Sequence, residues 1–284
     1  MTSLTDPLAI AVFDIDGVLR DVGNSYRRAL ADTVEAFTGG QYRPTPEDID
    51  TLKGEGLWNN DWEGSQELVY RYFEGQGQPR DAMDLNYDEI VDFFQRRYRG
   101  PNLDDPSQWT GYITQEPLLV DKGYFEALKS DRIVSGFFSG ATRGSASFVI
   151  QRRLGLADPV LVAMEDAPGK PDPTGLLVVV ETLTQQYQLP ATTPVIYAGD
   201  TVADMQTLVR ARQTQTAGPQ RPWLAIGVLP PHIVNADAAY RQIYHQALGA
   251  AGAQGVLSRI TDLTSAYVVE MLATLTPPPH HGQS

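Results

Sequence analysis

Apolar and polar positions alternate along this chain between two regimes. Short unbroken apolar runs at residues 8–13, 133–138, 160–164, 195–198 and 224–228 read as buried strands. Between them, apolar residues recur at helical spacing. Over residues 23–37, Tyr26, Leu30, Val34 and Phe37 share one face, and residues 66–74 and 87–98 repeat the pattern. The run Gly75-Gln76-Gly77-Gln78-Pro79 separates those last two helices, and residues 100–117 shift to Pro, Asn, Asp and Gly, as a hinge would. A further helix is expected over residues 145–154. Strand–helix alternation after residue 133 predicts a parallel sheet covered on both faces, with ligands bound outside the carboxyl ends of its strands. No internal repeat is visible, and the tail Pro277-Pro278-Pro279-His280-His281-Gly282 reads as disordered.

Composition narrows the class. At 284 residues, with 42% apolar and 20% charged residues, the chain can bury a core and carry an inserted lobe. With no cysteine there is no disulfide, thiolate ligand or Cys nucleophile, which fits a reducing compartment. The first segment is too short and acidic for a signal peptide, and no apolar run spans a bilayer, so a cytoplasmic protein is expected. A formal charge of −13 argues against nucleic-acid or anionic-membrane partners. A phosphorylated small molecule stays open, provided that its site is locally positive.

The predicted strand ends carry the chemistry. The first reads Asp14-Ile15-Asp16-Gly17; alternation sends both aspartates to one side, where they repel unless a cation or shared proton intervenes. Asp14 is placed to attack a phosphoryl group, and Asp16 to protonate the leaving oxygen and then activate water. A plain metal-binding or turn-forming pair is the alternative. Gly199-Asp200-Thr201-Val202-Ala203-Asp204 offers two carboxylates at helical spacing, suited to Mg²⁺ or, more plainly, to capping a helix. Lys170, in Gly169-Lys170-Pro171-Asp172-Pro173, is either a phosphate ligand that offsets the carboxylates or a surface lysine. Ser139-Gly140-Ala141-Thr142-Arg143 offers a hydroxyl and backbone N–H groups to phosphate, Ser139 being preferred over Thr142, or else a helix cap.

In this order the four motifs resemble those of the haloacid dehalogenase-like hydrolase superfamily. The long helical stretch between the first two is similar to the α-helical cap of the subfamily that includes phosphoglycolate phosphatases and β-phosphoglucomutases. The resemblance implies an α/β fold: a Rossmann-like parallel-sheet core (residues 1–20 and 117–276), an inserted helical cap (21–116) and a tail (277–284). It implies Asp14 as nucleophile, Asp16 as acid/base, Ser139, Gly140 and Lys170 as phosphate-binding residues, and Mg²⁺ held by Asp14, the Asp16 carbonyl, Asp200 and Asp204. Dehalogenases of the superfamily lack the second acidic residue, so Asp16 favours phosphoryl transfer. The expected activity is Mg²⁺-dependent hydrolysis of a small phosphate monoester, phosphoglycolate phosphatase-like. A sugar phosphomutase, which Val18 after Gly17 mildly suits, and a non-catalytic binder of phosphometabolites are the alternatives.

The segment Lys53-Gly54-Glu55-Gly56-Leu57-Trp58-Asn59-Asn60-Asp61-Trp62 is similar to cap loops of an uncharacterised branch seen in cyanobacteria and archaea. It reads equally as a substrate-facing loop, with Lys53 or Asn60 reaching the ligand, or as a tryptophan staple around an asparagine turn. Arg27, Arg28 and Arg143 are read as surface arginines, any of which has an anion within reach as the less favoured alternative.

Overall fold

A computed structural model describes residues 7–58, 60–215 and 220–275. The expected disordered tail at 277–284 and Asn59 of the expected asparagine turn lie outside these residues. Six parallel strands form one sheet in the order β3-β2-β1-β4-β5-β6. They are β1 (Ala9–Phe13), β2 (Ile133–Phe138), β3 (Leu161–Val162), β4 (Val195–Gly199), β5 (Trp223–Val228) and β6 (Gly255–Leu257). The strand order reverses beside β1, between its neighbours β2 and β4, which is where such sheets bind ligands.

Alternation along the strands builds two cores. Ala9, Ala11 and Phe13 face one side with Ile133, Phe137, Ile196 and Ile226. Ile10 and Val12 face the other with Val134, Val195, Tyr197 and Ala225. Helix α5 (Lys122–Ser130), the short α6 (Arg143–Ser147) and α11 (Ser265–Leu275) cover the first side. Helices α7 (Thr174–Tyr187), α8 (Val202–Gln213) and α10 (Ala238–Ala250) cover the second, with the single turn α9 (Pro231–Val234) beside them. All five β1 residues are at most 1% exposed, so β1 reads as continuous apolar sequence rather than alternation. Truncating Phe13 to Ala is expected to cost about 3–5 kcal/mol.

The helical stretch between β1 and β2 has its own core. Helices α1 (Tyr26–Phe37), α2 (Pro46–Gly54), α3 (Asp61–Gly75) and α4 (Tyr87–Tyr98) close around Leu30, Val34, Leu52, Val69, Phe94 and Tyr98. Expected boundaries shift where side chains cap the chain. The first helix starts at Tyr26 rather than residue 23, because the Asp21 carboxylate turns the backbone by accepting from Gly23 N at 2.9 Å. The third starts at Asp61 rather than residue 66, since Asn60 caps it by accepting from Trp62 N. The expected helix over 145–154 is α6 followed by a π-helical turn at Phe148–Arg153, and the strand at 160–164 contracts to Leu161–Val162 at the sheet edge. Among the described residues no helix is long and apolar enough to cross a membrane.

Candidate active site

Asp14 follows the last residue of β1, and its N–H is pinned to Ala198 O of β4 at 2.8 Å, so the strand end is fixed by the sheet itself. Its side chain is buried and accepts from Lys170 Nζ at 2.7 Å. Burial pushes the Asp14 carboxyl up to about 7; the Lys170 ammonium opposes that, while Asp204 and Asp16 add to it. Two residues on, Asp16 is 25% exposed at its side chain and faces the same cleft. Gly17, next along the chain, has φ +74°, and a Cβ there would lie 2.7 Å from Asp200 Cγ. Only glycine lets the β1 and β4 ends approach this closely.

Lys170, 156 residues along from Asp14, is 6% exposed and sits at the centre of the cluster. Its ammonium contacts Asp14 Oδ1 at 2.7 Å and Asp204 Oδ1 at 2.6 Å, and lies over the rings of Phe138 and Tyr197. Burial works against its charge, but the two carboxylates outweigh burial and hold it protonated above the ordinary range. Asp204 is both cap and partner. It completes a capping box with Thr201, whose N–H and hydroxyl donate to Oδ2, while the Tyr197 hydroxyl donates to Oδ1 at 2.7 Å. Burial disfavours its charge, yet Lys170, Thr201 and Tyr197 hold the carboxyl below the usual range.

Asp200 is the contrast. It lies just past β4, and among the described residues no hydrogen bond or ion pair engages its carboxylate; only its backbone carbonyl is bonded, by the Tyr244 hydroxyl at 2.9 Å. Burial, then the charges of Asp14 and Asp204, push it well above the ordinary carboxylate range. Oxygens of Asp14, Asp200 and Asp204 all lie within 4.8 Å of one another. A hard divalent cation suits that all-carboxylate donor set, and Asp200 is the member with both oxygens free for it.

Ser139 stands one residue past β2, 1% exposed, its hydroxyl oxygen accepting from Ala141 N at 3.0 Å. Gly140 and Ala141 line the cleft with Lys170. Thr142 is engaged elsewhere: Arg99, at the end of α4, donates to both Thr142 Oγ1 and Ser145 Oγ. Arg143 pairs with Asp166, and Arg28 lies over the Tyr112 ring. Neither lines the cleft.

The cap closes over these strand ends through Tyr26, Arg27, Lys53, Asn60, Asp61 and Trp62, leaving a cleft of about 700 Å³, its mouth included. Lys53 pairs with Asp61 at 2.8 Å and Arg27 with Asp50 at 2.5 Å. Asn60 lines the cleft while its side chain caps α3 and reaches Tyr87 Oη at 3.4 Å. Trp58 donates to Glu55, and Trp62 packs against the cap core at the cleft wall. The segment thus lines the cleft through Lys53, Asn60, Asp61 and Trp62, while Trp58 and Trp62 pack against the cap core.

Sequence reasoning missed Arg20. Its side chain is 0% exposed and bridges the two chain crossings between core and helices. It donates from Nε to Asp16 Oδ1 at 2.6 Å, and from Nη1 to Glu116 at 2.7 Å and Tyr98 Oη at 2.7 Å. Glu116 also accepts from Ser25 Oγ; burial pushes its carboxyl up, against the pull of Arg20 and Ser25. An arginine four residues after an aspartate is an ordinary surface pattern, and Glu116 lies 96 residues away. Nothing local gave the network away.

A strand-end aspartate cluster around a buried lysine, under a helical cap, defines a class of α/β hydrolase. The family model described as haloacid dehalogenase-like hydrolase matches residues 8–212, well over half the chain, and the chain belongs to that family. Solved structures share the fold. They include a phosphonoacetaldehyde hydrolase-like protein from Oleispira antarctica (TM-score 0.67, 17% identity, 97% of this chain and 96% of that one). Phosphatase Tt82 from Thermococcus thioreducens gives 0.57 at 22% identity over 84% and 99% of the two chains. CbbY from Rhodobacter sphaeroides, in complex with phosphate, gives 0.56 at 15% over 90% and 96%. By sequence the chain is 29% identical over 233 residues, 80% of its length, to an imidazoleglycerol-phosphate dehydratase of Phytophthora nicotianae. It spans 45% of the length of that relative.

Proposed function

We propose that the chain is a phosphatase that hydrolyses a small phosphate monoester through a phospho-Asp14 intermediate, with Mg²⁺ as cofactor. One observation carries the reading: Lys170, buried and protonated, bridges Asp14 and Asp204 within 2.7 Å, beside an Asp200 carboxylate that no described protein group engages. A binding protein gains nothing from holding a nucleophilic carboxylate in that position.

Lys170 fixes Asp14 Oδ1 and offers its remaining donor capacity to a phosphate oxygen. Ser139 Oγ and the backbone at Gly140 supply further donors on the β2 side. Asp14 attacks phosphorus, the bond to the leaving oxygen breaks, and the Asp16 carboxyl gives that oxygen its proton. The Asp16 carboxylate then takes a proton from water, water attacks phosphorus, and the bond to Asp14 breaks to release phosphate. Mg²⁺, held by Asp14, the Asp16 carbonyl and Asp200, would neutralise charge on the transferring group. Asp204, with its oxygens already engaged, is assigned to orienting Lys170 rather than to ligating the ion. We divide the chain into a core at residues 1–20 and 117–276 and a cap at 21–116, which excludes water while the intermediate forms.

Purified protein assayed with p-nitrophenyl phosphate should release nitrophenol with Mg²⁺ and not with EDTA. Asp14→Asn should lower kcat by roughly 10³-fold or more. Equal rates for Asp14→Asn and the unmodified protein would refute the mechanism. The name of the Phytophthora relative makes imidazole-bearing phosphate esters worth including in a substrate panel beside sugar and glycolate esters.

A further inference from the structure

The charges on the cap wall limit which ester the cleft accepts. Three cations line the cleft among the described residues: Lys170, Lys53 and Arg27. Lys170 belongs to the phosphate end. The other two lie on the cap, where a substrate's leaving group would sit, and both are already neutralised. Lys53 Nζ is 2.8 Å from Asp61 Oδ1, the two side chains 19% and 16% exposed. Arg27 Nη2 is 2.5 Å from Asp50 Oδ1 and also donates to Pro46 O. Asp50 is further held by His232 Nε2 at 3.0 Å and by the Tyr240 hydroxyl at 2.6 Å. Asp16, facing the cap from below, is taken up by Arg20.

We propose that the cap wall selects phosphate esters whose leaving alcohol carries no second anionic group, and that Asp61 sets this preference by neutralising Lys53. The proposal rests on the phosphatase reading and names the substrate class for that site. A carboxylate or second phosphate on the leaving group meets no unpaired cation at the cap. It must displace Asp61 from Lys53 or Asp50 from Arg27, and it then faces the displaced carboxylate inside a half-enclosed cleft. An uncharged hydroxylated or amine-bearing alcohol meets Asp61, Asn60 and the rings of Tyr26 and Trp62 without that conflict. Asp61 is the selective element because its charge lines the cleft, whereas Asp50 lies behind Arg27 with three donors on it.

Two nearly isosteric esters isolate the charge: 2-hydroxyethyl phosphate and phosphoglycolate. Their affinities are measured by calorimetry on Asp14→Asn protein, which cannot turn over. Binding should favour the hydroxyethyl ester by roughly tenfold or more, the size of a modest like-charge penalty. In Asp61→Asn, which frees Lys53, the ratio should move toward phosphoglycolate by roughly tenfold. Lys53→Met in the Asp61→Asn background should cancel that gain. Equal or tighter binding of phosphoglycolate by the protein with Asp61 intact overturns the proposal, as does a ratio that Asp61→Asn leaves unmoved. No Mg²⁺-dependent phosphate release by the unmodified protein from any ester of the panel, p-nitrophenyl phosphate included, refutes the phosphatase reading instead, and the binding ratio still decides the charge argument.

Discussion

Asp50 ties the cap to the core, and replacing it with Asn is a direct test of how firmly the two are joined. Its carboxylate, on α2, accepts from Arg27 of the cap and from His232 and Tyr240 of the core. Burial pushes the Asp50 carboxyl up, but the hydrogen bond from His232, the Arg27 charge and the Tyr240 hydroxyl outweigh it and hold the group at about 2, against an ordinary 3.8. At about 1.4 kcal/mol for each tenfold change, that difference makes the ionised form worth about 2 kcal/mol to the folded state. A carboxyl depressed on folding stabilises above its unfolded value and stops doing so as pH falls through its folded value. Asp50→Asn should therefore cost about 2 kcal/mol at pH 7, roughly half that at pH 3, and little near pH 2. Guanidinium unfolding, followed by tryptophan fluorescence at pH 7 and pH 3, reads both values. In a thermal scan at pH 7 the loss is roughly 4–8 °C. Unchanged stability at pH 7, or a deficit that persists undiminished into acid, refutes the assignment of Asp50 as an ionised latch.

Three other outcomes are expected. Gly17→Ala should abolish Mg²⁺-dependent protection in a thermal-shift assay, because the new Cβ collides with the Asp200 carboxylate from a backbone at φ +74°; retained protection would mean that Asp200 is not needed for the ion. Arg20→Ala leaves Glu116 buried without its cation and should destabilise by about 3–5 kcal/mol, with partial rescue by Arg20→Lys, measured by denaturant unfolding. Asp16→Asn should slow hydrolysis of alkyl phosphates by roughly 10²-fold more than that of aryl phosphates such as p-nitrophenyl phosphate, whose leaving groups need little protonation. Equal losses for both would remove Asp16 from the acid role.

The strand ends were legible because sheet topology turns sequence order into spatial convergence. Asp14, Ser139 and Asp200 each sit just past a predicted strand and Lys170 lies in the loop that follows another, so a parallel sheet brings them to one edge without any knowledge of side-chain detail. Helices missed in the sequence reading had readable caps. Helix α2 opens with Thr45, Pro46 and a capping box to Asp48, and α5 opens on Asp121. What local sequence cannot carry is pairing across distance. Whether Lys53 is a free ligand or the partner of Asp61, and whether Arg20 meets Glu116, depends on how two lobes pack. The different surroundings of Asp200 and Asp204 were likewise hidden, because Tyr197 and Lys170 reach the second and not the first.

The central claim is covalent, and a covalent measurement tests it. Protein mixed with a phosphate monoester and Mg²⁺, quenched in acid within milliseconds and digested, should show a phosphoryl adduct on the peptide that contains Asp14. The adduct should be absent from Asp14→Asn and, with an aryl phosphate whose leaving group needs little protonation, should accumulate in Asp16→Asn, where water attack is slowed. Steady phosphate release with no adduct on Asp14 at any quench time, or an adduct on a different residue, contradicts the account.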